Sequence, residues 1–133
     1  MTRRELRENT FVLLFRTDFH NEEELPEQYE MFFDTMAFSM EQADRTYVED
    51  KVNNICRYKK QFDDEIGSVS ETWEVSRIDK VTLNILRLAL YEMEYDDTIP
   101  VKVSINEAIE LAKKFGPDDA SAFVNGILGK LAK

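Results

Sequence analysis

Three arginines open the chain, Arg3, Arg4 and Arg7, spaced i, i+1 and i+4. On a helix that spacing gathers them within a sector of roughly 100°. Clustered guanidinium groups of this kind bind nucleic-acid phosphates through a salt-dependent, sequence-blind attraction. The same residues also read as an ordinary solvated helix end, because Glu5 and Glu8 sit among them. Near the other end, Gly126 and Gly129 interrupt a strong apolar repeat. Glycine inside a helix costs about 1 kcal/mol relative to alanine, and the usual compensation is close approach of another backbone or of a ligand. Phe123 and Asn125 flank this place. Tight helix packing is the competing reading.

Other chemistry is weakly represented. Glu22-Glu23-Glu24 and Asp63-Asp64-Glu65 lack the alternating ligands and central glycine of a calcium loop, so both read as solvated charge. The lone histidine, His20, lies beside Asp18 and Asn21 and suits a helix end better than a metal site or a Ser-His centre. The single cysteine, Cys56, falls on an apolar repeat and reads as a small buried hydrophobe; it allows no intramolecular disulfide. No glycine-rich phosphate loop is present. An enzyme is not expected, nor a metal or cofactor.

The elements that must hold these residues are helices. Across 133 residues there are only four glycines and three prolines, and no Asn-Gly pair lies between alternating strands. Phe11, Leu14, Phe15 and Phe19 recur at helical spacing, as do Tyr29, Phe32, Phe33, Met36, Ala37 and Met40. Val48, Val52, Ile55, Cys56 and Phe62 continue the pattern. Ile105, Ala108, Ile109, Ala112 and Phe115 form another stripe, and Ala120, Phe123, Val124, Ile127, Leu128 and Leu131 the last. Residues Ile78 to Met93 are apolar on nearly every side, which predicts a central helix surrounded by others. Pro26 fits the first turn of a helix. Gly116-Pro117 reads as a stop, the glycine permitting a left-handed cap, and Asp118 or Asp119 can cap the final helix. About six or seven helices in one domain are expected.

The net charge is −10, with 43% apolar residues, enough for a packed core. Residues 1–20 and 101–133 each sum to +1, so the acidity belongs to residues 21–100, which sum to −12. That segment is either a solvated surface or a docking face for a basic partner. With no long apolar run and no apolar N-terminal stretch, a soluble cytoplasmic protein is expected.

Three motifs then resemble those of the NusB family of transcription antitermination factors. They are Ile85-Leu86-Arg87-Leu88-Ala89-Leu90-Tyr91-Glu92, the run from Ile99-Pro100-Val101-Lys102 through Ile105-Asn106-Glu107-Ala108 to Phe115-Gly116, and Phe123-Val124-Asn125-Gly126-Ile127-Leu128. The arginine-rich start is similar too, while residues 21–70 match in helical character and length. The resemblance implies an all-α fold of two small perpendicular helical bundles over residues 1–133. It implies a non-enzymatic protein that binds the boxA single strand of ribosomal RNA leaders together with NusE, a small-subunit ribosomal protein, and joins RNA polymerase to suppress premature termination.

Carried over by residue, the resemblance gives RNA contacts to Arg3, Arg4, Arg7, Asp119, Phe123 and Asn125. It gives partner contacts to Phe15 and to the start of the central helix from Val81 to Arg87, Thr82 and Arg87 included. Aromatics stack on bases and carboxylates or amides read base edges, which suits these types. Thr82-Leu83 stand where the family commonly has Asp-Arg, Ala122 where it often has lysine, and Glu5 lies inside the arginine group. These departures predict weaker RNA binding alone and more dependence on the partner. Homodimerisation is compatible with the sequence, favoured if an apolar stripe is left exposed. The alternative from another class is a protein-only adaptor that binds a basic protein through the acidic segment. The related helical module of some RNA cytosine methyltransferases would require a catalytic domain, for which the sequence to Lys133 has no room.

Overall fold

Few breakers leave long helices, and the computed structural model, which describes residues 1–35 and 40–132, is built from them. In chain order they are α1 (Arg3–Thr17), α2 (Leu25–Thr35), α3 (Gln42–Arg57), α4 (Lys59–Val69), α5 (Lys80–Tyr95), α6 (Val101–Phe115) and α7 (Ala120–Leu131), with short 3-10 turns at Glu22–Glu24 and Val75–Arg77. There is no strand among the described residues, so the all-α expectation with about seven helices holds. Met36 and Ala37 lie outside the described residues. The chain forms two compact units, Met1–Arg57 and Tyr58–Lys133.

The first unit is organised on α1, which packs against α2 and α3. Its start is fixed by a capping box. The Glu5 N–H donates to Thr2 Oγ1 at 3.1 Å and the Thr2 N–H donates to Glu5 Oε1 at 2.8 Å, so two otherwise orphaned donors are satisfied. The terminal ammonium lies 3.4 Å from Asp44 Oδ2. Leu13 and Leu14 of α1, Phe32 and Phe33 of α2, and Val48, Val52 and Ile55 of α3 are buried. The α1 stripe ends sooner than its sequence suggests: Phe19 lies beyond the helix and is 59% exposed.

The second unit is organised on α5. Every residue from Thr82 to Leu90 is buried, and α4, α6 and α7 all pack against this helix. The all-round apolar pattern is therefore met by neighbours on each side. Each fully buried leucine or isoleucine contributes about 1.5–3 kcal/mol by leaving water. Two charged groups are carried inside and satisfied locally. Ser104 Oγ donates to Glu92 Oε1 at 3.1 Å, and Arg87 pairs with Asp63 of α4.

Two details differ from the sequence reading. The stripe from Val48 to Phe62 looks continuous but is broken at Tyr58, whose backbone leaves the helical region; Val48 to Cys56 serve one core and Phe62 the other. Gly116 does end α6, but in extended backbone at φ −94°, ψ 171° rather than a left-handed cap. Its glycine is required by proximity: a Cβ there would lie 2.8 Å from the Ala120 Cβ and 2.9 Å from the Ala112 carbonyl oxygen.

Candidate nucleic-acid and partner interface

At the start of α1, Arg3 and Arg4 are exposed, whereas Arg7 is only 8% exposed. The i+4 position has turned inward, and Arg7 interacts within the protein. The surface expected from three guanidinium groups is thus made by two, which corrects the reading of Arg7 as part of the exposed patch. Glu5, which looked like a diluting charge, is a structural residue of the capping box. The hydrogen bond from the Thr2 backbone, followed by that from its side chain, holds the Glu5 carboxyl below its ordinary value.

The start of α7 is organised differently. Asp119 occupies the N-cap position, yet its side chain makes no cap hydrogen bond and its backbone is in the right-handed helical region. The expected cap is therefore absent and the exposed carboxylate is left unspent. One turn on, the Phe123 N–H donates to the Asp119 carbonyl at 3.2 Å, and the Phe123 ring is half-buried. Both residues line a pocket of about 200 Å³ together with Trp73, Arg77, Asp79 and Thr82. Asp79 does cap its helix: the Thr82 N–H donates to Asp79 Oδ2 at 2.9 Å. Asn125 lies exposed on α7 beside Gly126 and Gly129, and a Cβ at either glycine would meet nothing within 4 Å. Neither close approach of the protein's own backbone nor tight packing explains those glycines.

The partner candidates separate. Phe15 is half-buried, with its ring edge-on to the exposed Phe19 at 5.0 Å. Thr82 is only 2% exposed, and it lines the same pocket as Asp119 and Phe123 instead of a separate docking face. Arg87 is 4% exposed. It donates through Nε and Nη2 to the two Asp63 carboxylate oxygens at 2.8 and 2.7 Å, and through Nη1 to Asn84 Oδ1 at 3.1 Å. That guanidinium locks α5 to α4 and is not presented to a partner, a correction to its reading as a direct contact. Cys56 is half-buried rather than fully buried, its Sγ donating to Thr17 Oγ1 at 3.7 Å. Tyr29 donates to Asn53 Oδ1 at 2.8 Å, and burial pushes its phenol well above the ordinary value.

Sequence reasoning missed Trp73, Arg77, Asp79 and Phe19. Trp73 carried the clearest available signal, as the single tryptophan in a segment with little apolar periodicity, where a large ring has no helix stripe to join. It is 49% exposed. No helix among the described residues is long and apolar enough to cross a membrane.

The model of the NusB family matches residues 4–133. The transcription antitermination protein NusB of Agathobacter rectalis is 46% identical over 99% of this chain and 100% of its own length. A solved T. maritima NusB superposes with a TM-score of 0.87 at 33% identity, covering 99% of this chain and 91% of that one. A crystal structure of antitermination factors NusB and NusE in complex with dsRNA shares the fold, with a TM-score of 0.82 at 22% identity over 97% of this chain and 94% of that one. With a family match across nearly the whole chain and a relative 46% identical over 99% of it, this chain belongs to the NusB family of transcription antitermination proteins.

Proposed function

We propose that the chain acts by binding rather than catalysis, as an antitermination factor that takes a boxA-like single strand of a ribosomal RNA leader together with NusE. Residues 1–133 act as one RNA-binding domain in the cytoplasm, and the assembly joins RNA polymerase to suppress premature termination. A protein of this fold solved with NusE and dsRNA supports the choice of ligands. The observation that carries the reading is the N-cap carboxylate of Asp119, which caps nothing and opens beside the Phe123 ring. A carboxylate with free lone pairs accepts from base N–H groups, and an aromatic face stacks on an unpaired base.

Arg3 and Arg4 supply the phosphate attraction, Arg7 adds its field from beneath, and Asn125 offers an amide from the exposed side of α7. The Phe15–Phe19 pair provides an aromatic anchor for NusE. The acidic segment of residues 21–100 draws in that basic protein.

The test is fluorescence anisotropy of a labelled boxA-like strand and a scrambled strand, with and without NusE, from about 50 to 200 mM salt. The boxA-like strand is expected to bind more tightly, with affinity falling steeply as salt rises. Replacing Arg3 and Arg4 by alanine is expected to reduce the slope of log affinity against log salt by about 1.4, roughly 0.7 per phosphate on a single strand. If NusE binds but the boxA-like strand is never preferred, the acidic surface makes this chain a protein-only adaptor.

A further inference from the structure

We infer that a second pocket, at the ends of α5 and α7, binds a linear polyamine, with Glu65 meeting an inner ammonium and Glu94 an outer one. The site is independent of the RNA-binding reading. It lies at the opposite ends of the two helices whose starts carry Thr82, Asp119 and Phe123. At about 270 Å³ it falls below the roughly 300–1,000 Å³ of sites for drug-sized ligands, which suits one slender chain. Leu90, Met93, Val101 and Leu131 supply apolar walls along which a methylene stem can lie.

Glu65 is the observation that points to a ligand. It is half-buried on α4 and lines the pocket, and its Oε2 is shielded from water with no hydrogen-bond partner. A carboxylate oxygen deprived of both water and a donor is costly. The terminal torsion of a glutamate is broad, so the group can turn to meet a donor brought into the pocket.

The surroundings fix the sign of the guest. Glu65 and Glu94 are acceptors, and among the described residues that line the pocket none is basic. Lys130 is committed elsewhere: its Nζ donates to the Val69 carbonyl at 3.3 Å and lies 3.8 Å from Glu71 Oε2. Met93 and Glu94 lie in the last turn of α5 and Leu131 closes α7, while Val101 opens α6. Two negative helix ends against one positive end add to the pull on a cation. A small hydrated ion would leave the apolar walls unused, so the cation carries an aliphatic stem. Glu94, exposed at the rim, accepts from Gln61 Nε2 at 3.4 Å, and a carboxylate with about four lone-pair sites can accept from an ammonium in addition. A single lysine side chain from another protein would match one acid; a polyamine matches both.

The experiment titrates spermidine at low salt into the full chain labelled with ¹³C in its methionine methyl groups. Of the five methionines, Met93 is the one that lines the pocket among the described residues. Its signal is expected to shift saturably while the other four stay in place. This response is read in the parent chain, so it stands whether or not a variant folds. Glu65→Gln, which keeps the shape of the side chain, is expected to weaken binding roughly tenfold, the value of one hydrogen bond to a charged group. Val101→Trp, which keeps both acids and narrows the mouth, is expected to weaken it at least as much. Putrescine and butylamine share a four-carbon stem, but only putrescine has two ammonium groups. Glu94→Gln should therefore weaken putrescine about threefold, the scale of an exposed ion pair, and leave butylamine unchanged.

If the Met93 signal does not move, the pocket takes no polyamine and the inference is overturned. The same holds if Glu23→Gln, at an exposed acid outside the pocket, weakens spermidine as much as Glu65→Gln does, since the polyamine is then a diffuse counterion of an acidic chain. A lysine peptide that moves Met93 where putrescine does not would assign the pocket to a protein side chain and likewise overturn it.

Discussion

The starts of α1 and α7 are both helix N-termini carrying an acidic residue, yet they are equipped for opposite tasks. At α1 the acid is consumed: Glu5 is tied into a capping box with Thr2, and the exposed groups are the Arg3 and Arg4 guanidinium groups. Such a surface attracts any phosphate backbone without reading sequence. At α7 the acid is unspent, since Asp119 makes no cap bond and opens into a pocket with two aromatic rings. Acceptor groups beside aromatic rings suit a base edge better than a phosphate. Whether a helix-start carboxylate recognises a ligand depends on whether the helix has already taken its hydrogen bonds.

The largest expected effect tests what keeps the α7 side in shape. Asp63→Ala strands the buried Arg87 guanidinium that locks α5 to α4. Removing one partner of a buried pair costs roughly 3–5 kcal/mol. Since Asp63 keeps about a quarter of its side-chain exposure, about 3 kcal/mol is expected, read from urea unfolding. The Arg3→Ala/Arg4→Ala variant, altered only at exposed positions, is expected to stay within about 0.5 kcal/mol of the parent. A small loss in Asp63→Ala would mean that the α7 pocket does not depend on that pair.

Next in size is the contrast in RNA binding. Phe123→Ala is expected to cost about 1–3 kcal/mol of affinity, the range for stacking on one base, with the salt slope unchanged. The double arginine variant should do the reverse, lowering the slope while leaving preference for the boxA-like strand intact. The comparison between the two helix starts fails if both variants change slope and preference alike.

The smallest effect belongs to α1 alone. The Glu5 carboxyl is held below its ordinary 4.5, so its capping contribution is fully present above that value. It is lost as pH falls through the depressed one. The protection factor of the first-turn amides of α1, the exchange rate divided into its intrinsic value at each pH, should therefore be flat above about pH 4.5 and fall below it. Glu5→Gln preserves the capping-box geometry and should remove the pH dependence. Persistence of the pH response in that variant would assign it to another group.

Much of this architecture was legible in the order of residues, because helices are local. Spacing at 3.6 residues placed the buried faces of α2, α3 and α7, and the all-round apolar run of α5 announced its central position, whereas the α6 stripe ran on to Phe115, which is exposed. The failures share one cause. Arg7, Thr82 and Arg87 were assigned to surfaces on position in a motif, but exposure is a property of what packs over a side chain. The stripe from Val48 to Phe62 hid a boundary because both cores demand the same apolar spacing on either side of Tyr58. Trp73, Arg77 and Asp79 went unnoticed because they lie far from Phe123 in sequence, outside any periodic pattern.

By itself the sequence determined the class of fold, the family, that one cysteine allows no intramolecular disulfide, and the concentration of negative charge in residues 21–100. These follow from local backbone preference and from counting, and neither needs a neighbour. Tertiary structure alone decided which cations face water, that Gly116 is required by the closeness of Ala120, and that residues from two distant helix starts share one pocket. Those outcomes depend on packing between segments far apart in the chain, which residue spacing does not encode.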